Sequence, residues 1–172
     1  SVVMLSSCAT TLRIEPNEEN DSLVIGQIVL NAKNYEYFGD STVNGKHVSQ
    51  IELTFMNITT GDKVIVKSRG SDGIFYFSGL SNSRYQLAKV YYKNIGSNNN
   101  WAYVYCLPND LFFDITENKV FNLGIINWTS DKNIDSDQIR QEFEYDEIEN
   151  ILLKKYPNSI WNIYSWDSVI FK

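Results

Sequence analysis

Residues 71–87 read "SDGIFYFSGLSNSRYQL". Asp72-Gly73 is turn chemistry. Asp folds its side chain back onto nearby backbone, and Gly reaches the positive-φ conformations that tight hairpins need. Ile74 to Phe77 then carries a branched or aromatic side chain at every position, the composition of a strand. Alternate residues of an extended chain point to opposite faces, so Phe75 and Phe77 share one face while Tyr76 takes the other. Gly79 to Ser83 breaks the run, and Arg84-Tyr85-Gln86-Leu87 resumes a period of two. The stretch predicts two neighbouring strands around a short turn, with Phe75, Phe77, Tyr85 and Leu87 facing one core.

The same period extends in both directions. "LVIGQIVLNAK" (23–33) is rich in β-formers, and "EYFGDSTVNGKH" (36–47) is loop-like. "SQIELTFMNI" (49–58) alternates Ile51, Leu53 and Phe55 with Glu52 and Thr54. "TTGDK" is a turn, "VIVKS" a short strand, and "RGSDG" a turn whose Asp-Gly favours a tight hairpin. "WAYVYCL", "LFFDIT" and "VFNLGIINW" continue the series toward residue 128. About eight short strands at this spacing predict a mainly β fold, a sandwich or barrel.

Four of these segments, in order, resemble the carboxypeptidase regulatory-like, or prealbumin-like, β-sandwich family. Gly26-Gln27-Ile28 matches its G-x-(I/V) element, and Asn57, Thr60 and Gly61 match N-x-x-T-G. Asp72, Gly73, Phe75, Phe77 and Leu80 match its D-G-x-(F/Y)-x-F-x-x-L run; Tyr85 and Leu87 match G-x-Y-x-L. Ser83 stands where the family has Gly, which predicts a looser turn there. The resemblance covers about residues 22–93. It implies a Greek-key β-sandwich of about seven to eight strands, completed by residues 100–128. Its motifs are structural, not catalytic. In zinc carboxypeptidases such a sandwich accompanies a catalytic domain with two His and a Glu on zinc. This chain has a single histidine, so that peptidase activity is not implied here.

The end of the chain changes period. "QIRQEFEYD" (138–146) alternates apolar and charged residues and suits an added strand. "DEIENILLKKYP" is helical in pattern. Asp146 and Glu149 make a capping pair, and Ile148, Ile151, Leu152 and Tyr156 form an apolar stripe. Acids open the segment, Lys154-Lys155 close it, and Pro157 stops it. The aromatic tail with Trp161, Trp166 and Phe171 is expected to dock on the β body.

The N-terminal stretch "SVVMLSSCATTL" decides the expected location. Val2 to Leu5 reads as the tail of a signal-peptide apolar region. Leu5-Ser6-Ser7-Cys8 resembles the bacterial lipobox: an aliphatic residue for an apolar peptidase pocket, two small residues, then a thiol. The resemblance implies a thioether-linked diacylglycerol and further acyl chains, palmitate among them, on Cys8. Several chains at about 0.8 kcal/mol per buried CH₂ anchor a protein durably, where one would be marginal. "ATTLRIEPNEEND" then reads as an acidic, Pro-containing tether. The expected organisation is residues 1–7 signal-peptide remnant, 8–21 lipidated N-terminus and tether, 22–129 β-sandwich and 130–172 C-terminal extension.

The remaining chemistry is sparse. The net charge of −6 and the lack of a basic run argue against nucleic acid as a partner. No apolar run reaches the roughly 20 residues of a membrane-spanning helix. Cys106 reads as a small apolar core residue on a strand, with a Cys8–Cys106 disulfide as the alternative use of both. His47 lies in a polar loop with no second His, Ser or Asp pattern to recruit it. Asp131, Asn133, Asp135, Asp137 and Glu142 fall at positions 1, 3, 5, 7 and 12 of an EF-hand loop. Ser136 replaces the required Gly and Gln138 the apolar residue, so a solvated acidic linker is the first reading and calcium the alternative. The sequence therefore predicts a non-enzymatic, lipid-anchored module of the bacterial envelope, periplasmic or surface-exposed, with no catalytic residue, metal or cofactor. Its partners would be the membrane and an envelope protein or carbohydrate. A sandwich binding a small molecule or calcium is the rival, and a hydrolase with a carboxylate pair a third reading.

Overall fold

Which strands join which sheet follows from how many faces each must bury. A computed structural model describes residues 22–33, 46–47, 51–70, 72–95, 100–106, 111–131 and 136–172. One sheet holds β1 (Leu23–Lys33), β2 (Lys46–His47), β5 (Ile74–Ser78), β9 (Lys119–Asp131), β10 (Ser136–Glu142) and β11 (Ser165–Ser168). The other holds β3 (Ile51–Asn57), β4 (Lys63–Lys67), β6 (Ser83–Ile95), β7 (Asn100–Cys106) and β8 (Phe112–Ile115). The centre of the first sheet is the long parallel pair β1 and β9. β2 and β5 flank β1, while β10 and β11 flank β9. In the second sheet β6 is central, with β3 and then β4 on one side and β7 and β8 end to end on the other.

The two sheets face each other across one core. Val24, Ile28, Phe75, Phe77, Phe121 and Trp128 from the first meet Leu53, Phe55, Tyr85, Leu87, Val90 and Phe113 from the second. Phe75, Phe77, Tyr85 and Leu87 share this core as their spacing predicts, yet they do not lie on adjacent strands. β5 pairs with β1 and β6 with β3, so the four meet across the gap between sheets. The tight hairpin expected at Asp72-Gly73 is likewise not formed. The turn chemistry is right: Asp72 Oδ1 accepts from the Ile74 N–H at 3.2 Å, and Gly73 has φ 72°. The chain nevertheless crosses between sheets there, with a single bridge from Arg69 to Ile74. The cause is two-sided burial. Ile74 and Tyr76 are covered on the face opposite Phe75 and Phe77, and among the described residues the first sheet is the one covered on both faces.

The cover on that outer face is α1 (Tyr145–Lys155) with the 3₁₀ turn Ile160–Ile163. Ile148, Leu152 and Trp161 pack on Leu23, Ile25, Ile74, Tyr76, Val120 and Ile125, with Ile151, Tyr156 and Trp166 at the margin. The helical stripe is thus the one the sequence predicts. The capping pair is not. The helix begins at Tyr145 with Glu144 as its N-cap, which makes no side-chain cap. Asp146 falls inside the first turn, where it and Glu147 complement the helix dipole. Ser159 does cap the 3₁₀ turn, accepting from the Trp161 N–H.

Two bulges let long strands keep one face buried. On β9, Phe121 and Leu123 face the core, but so do Ile126 and Trp128, an odd-to-even switch. The extra residue sits where Ile25 pairs Asn122 and Gln27 pairs Ile125. Gly124 occupies it with φ 66°, and Asn122 Oδ1 accepts from its N–H at 2.9 Å. A Cβ on Gly124 would lie 2.4 Å from the Glu142 carbonyl oxygen. We expect Gly124→Ala to cost roughly 2–3 kcal/mol in urea unfolding, from the left-handed backbone and the backbone clash together. A variant within a few tenths of wild type would contradict this bulge. β6 carries the other switch, where Thr54 pairs Lys89 and Phe55 pairs Leu87.

Eleven strands are described where the sequence predicts about eight plus one added after residue 136. β2 has two residues and no alternation to read, and β11 is the polar "SWDS". Both owe their strand form to the neighbour they pair with. The strand expected over 138–146 is β10 at Ser136–Glu142, and the last two of those residues, Tyr145 and Asp146, belong instead to the start of α1. Ser83, expected to loosen its turn, instead ties it. Its hydroxyl donates to Asn57 Oδ1 at 3.1 Å, and the same oxygen accepts from the Thr59 and Thr60 N–H groups.

Candidate functional site

The residues singled out from sequence do not converge. Cys8 lies outside the described residues. Cys106 ends β7 opposite Lys89. His47 is not in a free loop but in β2, where its backbone pairs with Leu30. A two-residue strand has too little pattern to separate it from the polar loop around it. The EF-hand spacing dissolves into a hairpin. Asp131 pairs with Ser136, while Glu142 pairs with Ile125, six residues further along β9. At about 3.3 Å per residue, positions 1 and 12 stand roughly 20 Å apart, and calcium ligands must all come within about 2.6 Å of one ion. Among the described residues no group of three His, Cys, Asp or Glu gathers at one point.

What the fold does create is a shallow cleft of about 200 Å³ where the C-terminal tail crosses from one sheet to the other. The tail crosses because both its ends are bonded. β11 runs parallel to β9, and the Lys172 N–H and C=O pair with Phe112 of β8 at 3.0 and 3.3 Å. Gln141 holds the middle. Its Nε2 donates to the Leu123 and Val169 carbonyls at 2.8 and 2.6 Å, and its Oε1 accepts from the Phe171 N–H at 3.0 Å. The Tyr145 hydroxyl adds a bond to the Val169 carbonyl at 2.8 Å. Nothing in "QIRQEFEYD" marks Gln141 for this role, because its partners are distant in sequence.

Phe113, Phe121 and Val169 line the cleft, with Asp114, Asp167 and Lys172 among its polar groups. Two carboxylates in one cleft is the arrangement a hydrolase would need, but each is already engaged. Arg84 donates to both Asp114 oxygens, Nε at 2.9 and Nη2 at 3.2 Å, and Lys172 stands 4.0 Å away. Lys119 Nζ contacts Asp167 at 2.7 Å. The bond from Arg84 holds the Asp114 carboxyl below its ordinary range, against the opposing effect of burial. A general acid needs the opposite displacement, upward toward neutrality. Chemically this is a rim of ion-paired side chains over an apolar floor.

A second polar cluster lies under the end of α1. Arg69 Nη1 donates to the Tyr76 hydroxyl at 3.0 Å, and its guanidinium sits 4.7 Å from the Tyr76 ring centre. Tyr156 meets the same ring edge-on at 6.1 Å, and Lys155 pairs with Asp72. Burial, then Tyr156, pushes the Tyr76 phenol up to about 12, with Arg69 pulling the other way. The group stays neutral at physiological pH, and the cluster fastens the helix end to the turn before β5.

No family profile and no curated protein matches this chain. Among solved structures it is similar to a leucine-rich repeat protein from Bacteroides thetaiotaomicron, at 11% identity and a TM-score of 0.39. The match covers 65% of this chain and spans 14% of that one. At that TM-score the likeness carries no argument about fold or function.

Proposed function

We propose that this chain is a lipid-anchored protein of the bacterial cell envelope, non-enzymatic, whose body serves as a binding or structural module. The observation that carries the reading is Leu5-Ser6-Ser7-Cys8, followed by the acidic, Pro-containing stretch 9–21 and then by the first strand at Leu23. On this reading Cys8 bears the acyl chains, and the two-sheet body is a Greek-key sandwich of the prealbumin-like kind. The order of the four motif elements and the use of Gly26 support it. A Cβ on Gly26 would meet the Phe75 ring at 2.7 Å, so the glycine of the first element makes room for the aromatic of the third. The non-enzymatic part draws on the cleft, where Asp114 and Asp167 are both committed to cations.

The test is processing and partition of the full precursor. Wild type is expected in the detergent phase after Triton X-114 separation, with diacylglyceryl mass on Cys8 and globomycin-sensitive maturation. Cys8→Ala is expected in the aqueous phase. Equal detergent partition of both chains would overturn the anchor.

A further inference from the structure

We infer that the cleft between β8 and the C-terminal tail takes one neutral hexopyranose unit of a glycan. This deepens the binding reading above and rests on it. The cleft opens because a strand pair stops after one step. Phe112 and Lys172 exchange both backbone bonds, so the next bonded pair of an antiparallel ladder would be Asp114 with Ile170. That pair is not made, because the tail turns to β9, where the Val169 N–H donates to the Asn122 carbonyl at 2.9 Å. On its other side β8 bonds β6 through Phe113 and Ile115, in step with the bond from Leu87 to Leu111, and the Asp114 backbone is directed at the gap. Asp114 and Ile170 thus each turn an N–H and a C=O toward the cleft, with no backbone partner there among the described residues.

The occupant is neutral because both carboxylates keep their cations. A divalent cation would have to displace Arg84 and Lys119, and an anion would meet Asp114 and Asp167. Both still accept hydrogen bonds. Lys119 contacts Asp167 through Oδ2, which leaves Oδ1 without a partner among the described residues, and a carboxylate has about four lone-pair sites, two of which Arg84 uses on Asp114. An added peptide strand does not fit the edge. Strand addition uses every second residue, but Phe112 is bonded to Lys172 and the Thr116 carbonyl accepts from Ser22, so Asp114 alone is open between them. A sugar needs no such run. Its neighbouring hydroxyls donate and accept at once, matching Asp114, Asp167, Lys172 and the open backbone groups, while its C–H face covers Phe113, Phe121 and Val169 on the floor. The volume of about 200 Å³ lies below the roughly 300–1,000 Å³ of drug-sized ligand sites, so the cleft holds a single ring and the rest of the glycan leaves through its mouth.

The experiment titrates the full chain, ¹⁵N-labelled and expressed without export so that Cys8 stays unmodified, with the methyl glycosides of glucose, galactose, mannose and N-acetylglucosamine. A ligand of about a dozen heavy atoms binds with a Kd on the order of 1 mM. At least one glycoside is expected to shift the Asp114, Ile170 and Lys172 amides saturably in that range. Asp114→Ala and Asp167→Ala, on opposite walls, should each weaken it at least about fivefold, the loss of one hydrogen bond to a charged group, with the remaining amides unmoved. Shifts that map only to other residues, or none with any of the four, overturn the site and leave the anchored-module reading standing. Release of nitrophenol from the nitrophenyl forms of the same glycosides, lost in both variants, overturns the non-enzymatic part of that reading and leaves the sugar site in place.

Discussion

Truncating the chain after Asp146 is expected to yield protein that aggregates, or that melts far below wild type. The first sheet is apolar on both faces, and this deletion strips one of them. Leu23, Ile25, Ile74, Val120 and Ile125, all buried beneath α1 and Trp161, would face water together. Exposing a fully buried aliphatic costs about 1.5–3 kcal/mol, so even partial exposure of five approaches the 5–15 kcal/mol that holds a typical domain together. The loss is compounded on the other side. Phe171, which meets Phe113 at 5.9 Å, and the Lys172–Phe112 backbone pair disappear as well. The helix cannot be regarded as an independent appendage, because eleven residues of helix are marginal in water without tertiary packing. Size-exclusion chromatography and a circular-dichroism melt decide the matter. A truncated chain that stays monomeric with an unchanged melting temperature would refute the two-sided sheet.

That sheet also shows where sequence reading succeeds and where it stops. Alternation is local, so the opposite facing of Phe75 and Tyr76, and the helical stripe of Ile148 and Leu152, could be read directly. Sheet membership is not local. β4 and β5 are separated by a good turn, and only the burial of Ile74 and Tyr76 beneath a helix 70 residues later sends β5 to the other sheet. The bulge at Gly124 hides for the same reason. A glycine inside an apolar run looks like a weak point until Phe121 and Trp128 are seen to share a core. The candidate cleft was less legible still. Asp114 and Asp167 are 53 positions apart, and their partners Arg84 and Lys119 are ordinary surface residues in the sequence. The EF-hand spacing misled because a ligand pattern counts residues without regard to backbone. Pairing of residues 136–142 back along β9 carries Glu142 to Ile125, away from Asp131, and so separates ends that a loop would join.

Phe55→Ala is expected to destabilise the protein by about 3–5 kcal/mol, the range for truncating a buried aromatic. Phe55 is fully buried on β3, a strand of the second sheet, yet its ring touches both sheets. Phe77 stacks on it at 4.9 Å, Phe75 lies at 6.0 Å, and Phe113 meets it edge-on at 5.7 Å and 89°. Phe75 and Phe77 come from the first sheet, Phe113 from the second, so the ring is the point where the two layers interlock. Removing it leaves a cavity bordered by three aromatic rings, which cannot collapse cheaply, and forfeits aromatic pairs worth about 0.5–1.5 kcal/mol each. Ile65→Ala, on the neighbouring strand β4, supplies the control. Ile65 is 62% exposed, and its loss should move stability by no more than about 0.5 kcal/mol. Urea unfolding of both variants separates burial from strand propensity, since each change removes a β-former from the same pair of strands. Should Phe55→Ala fall within about 1 kcal/mol of Ile65→Ala, the layers would not be joined through this ring.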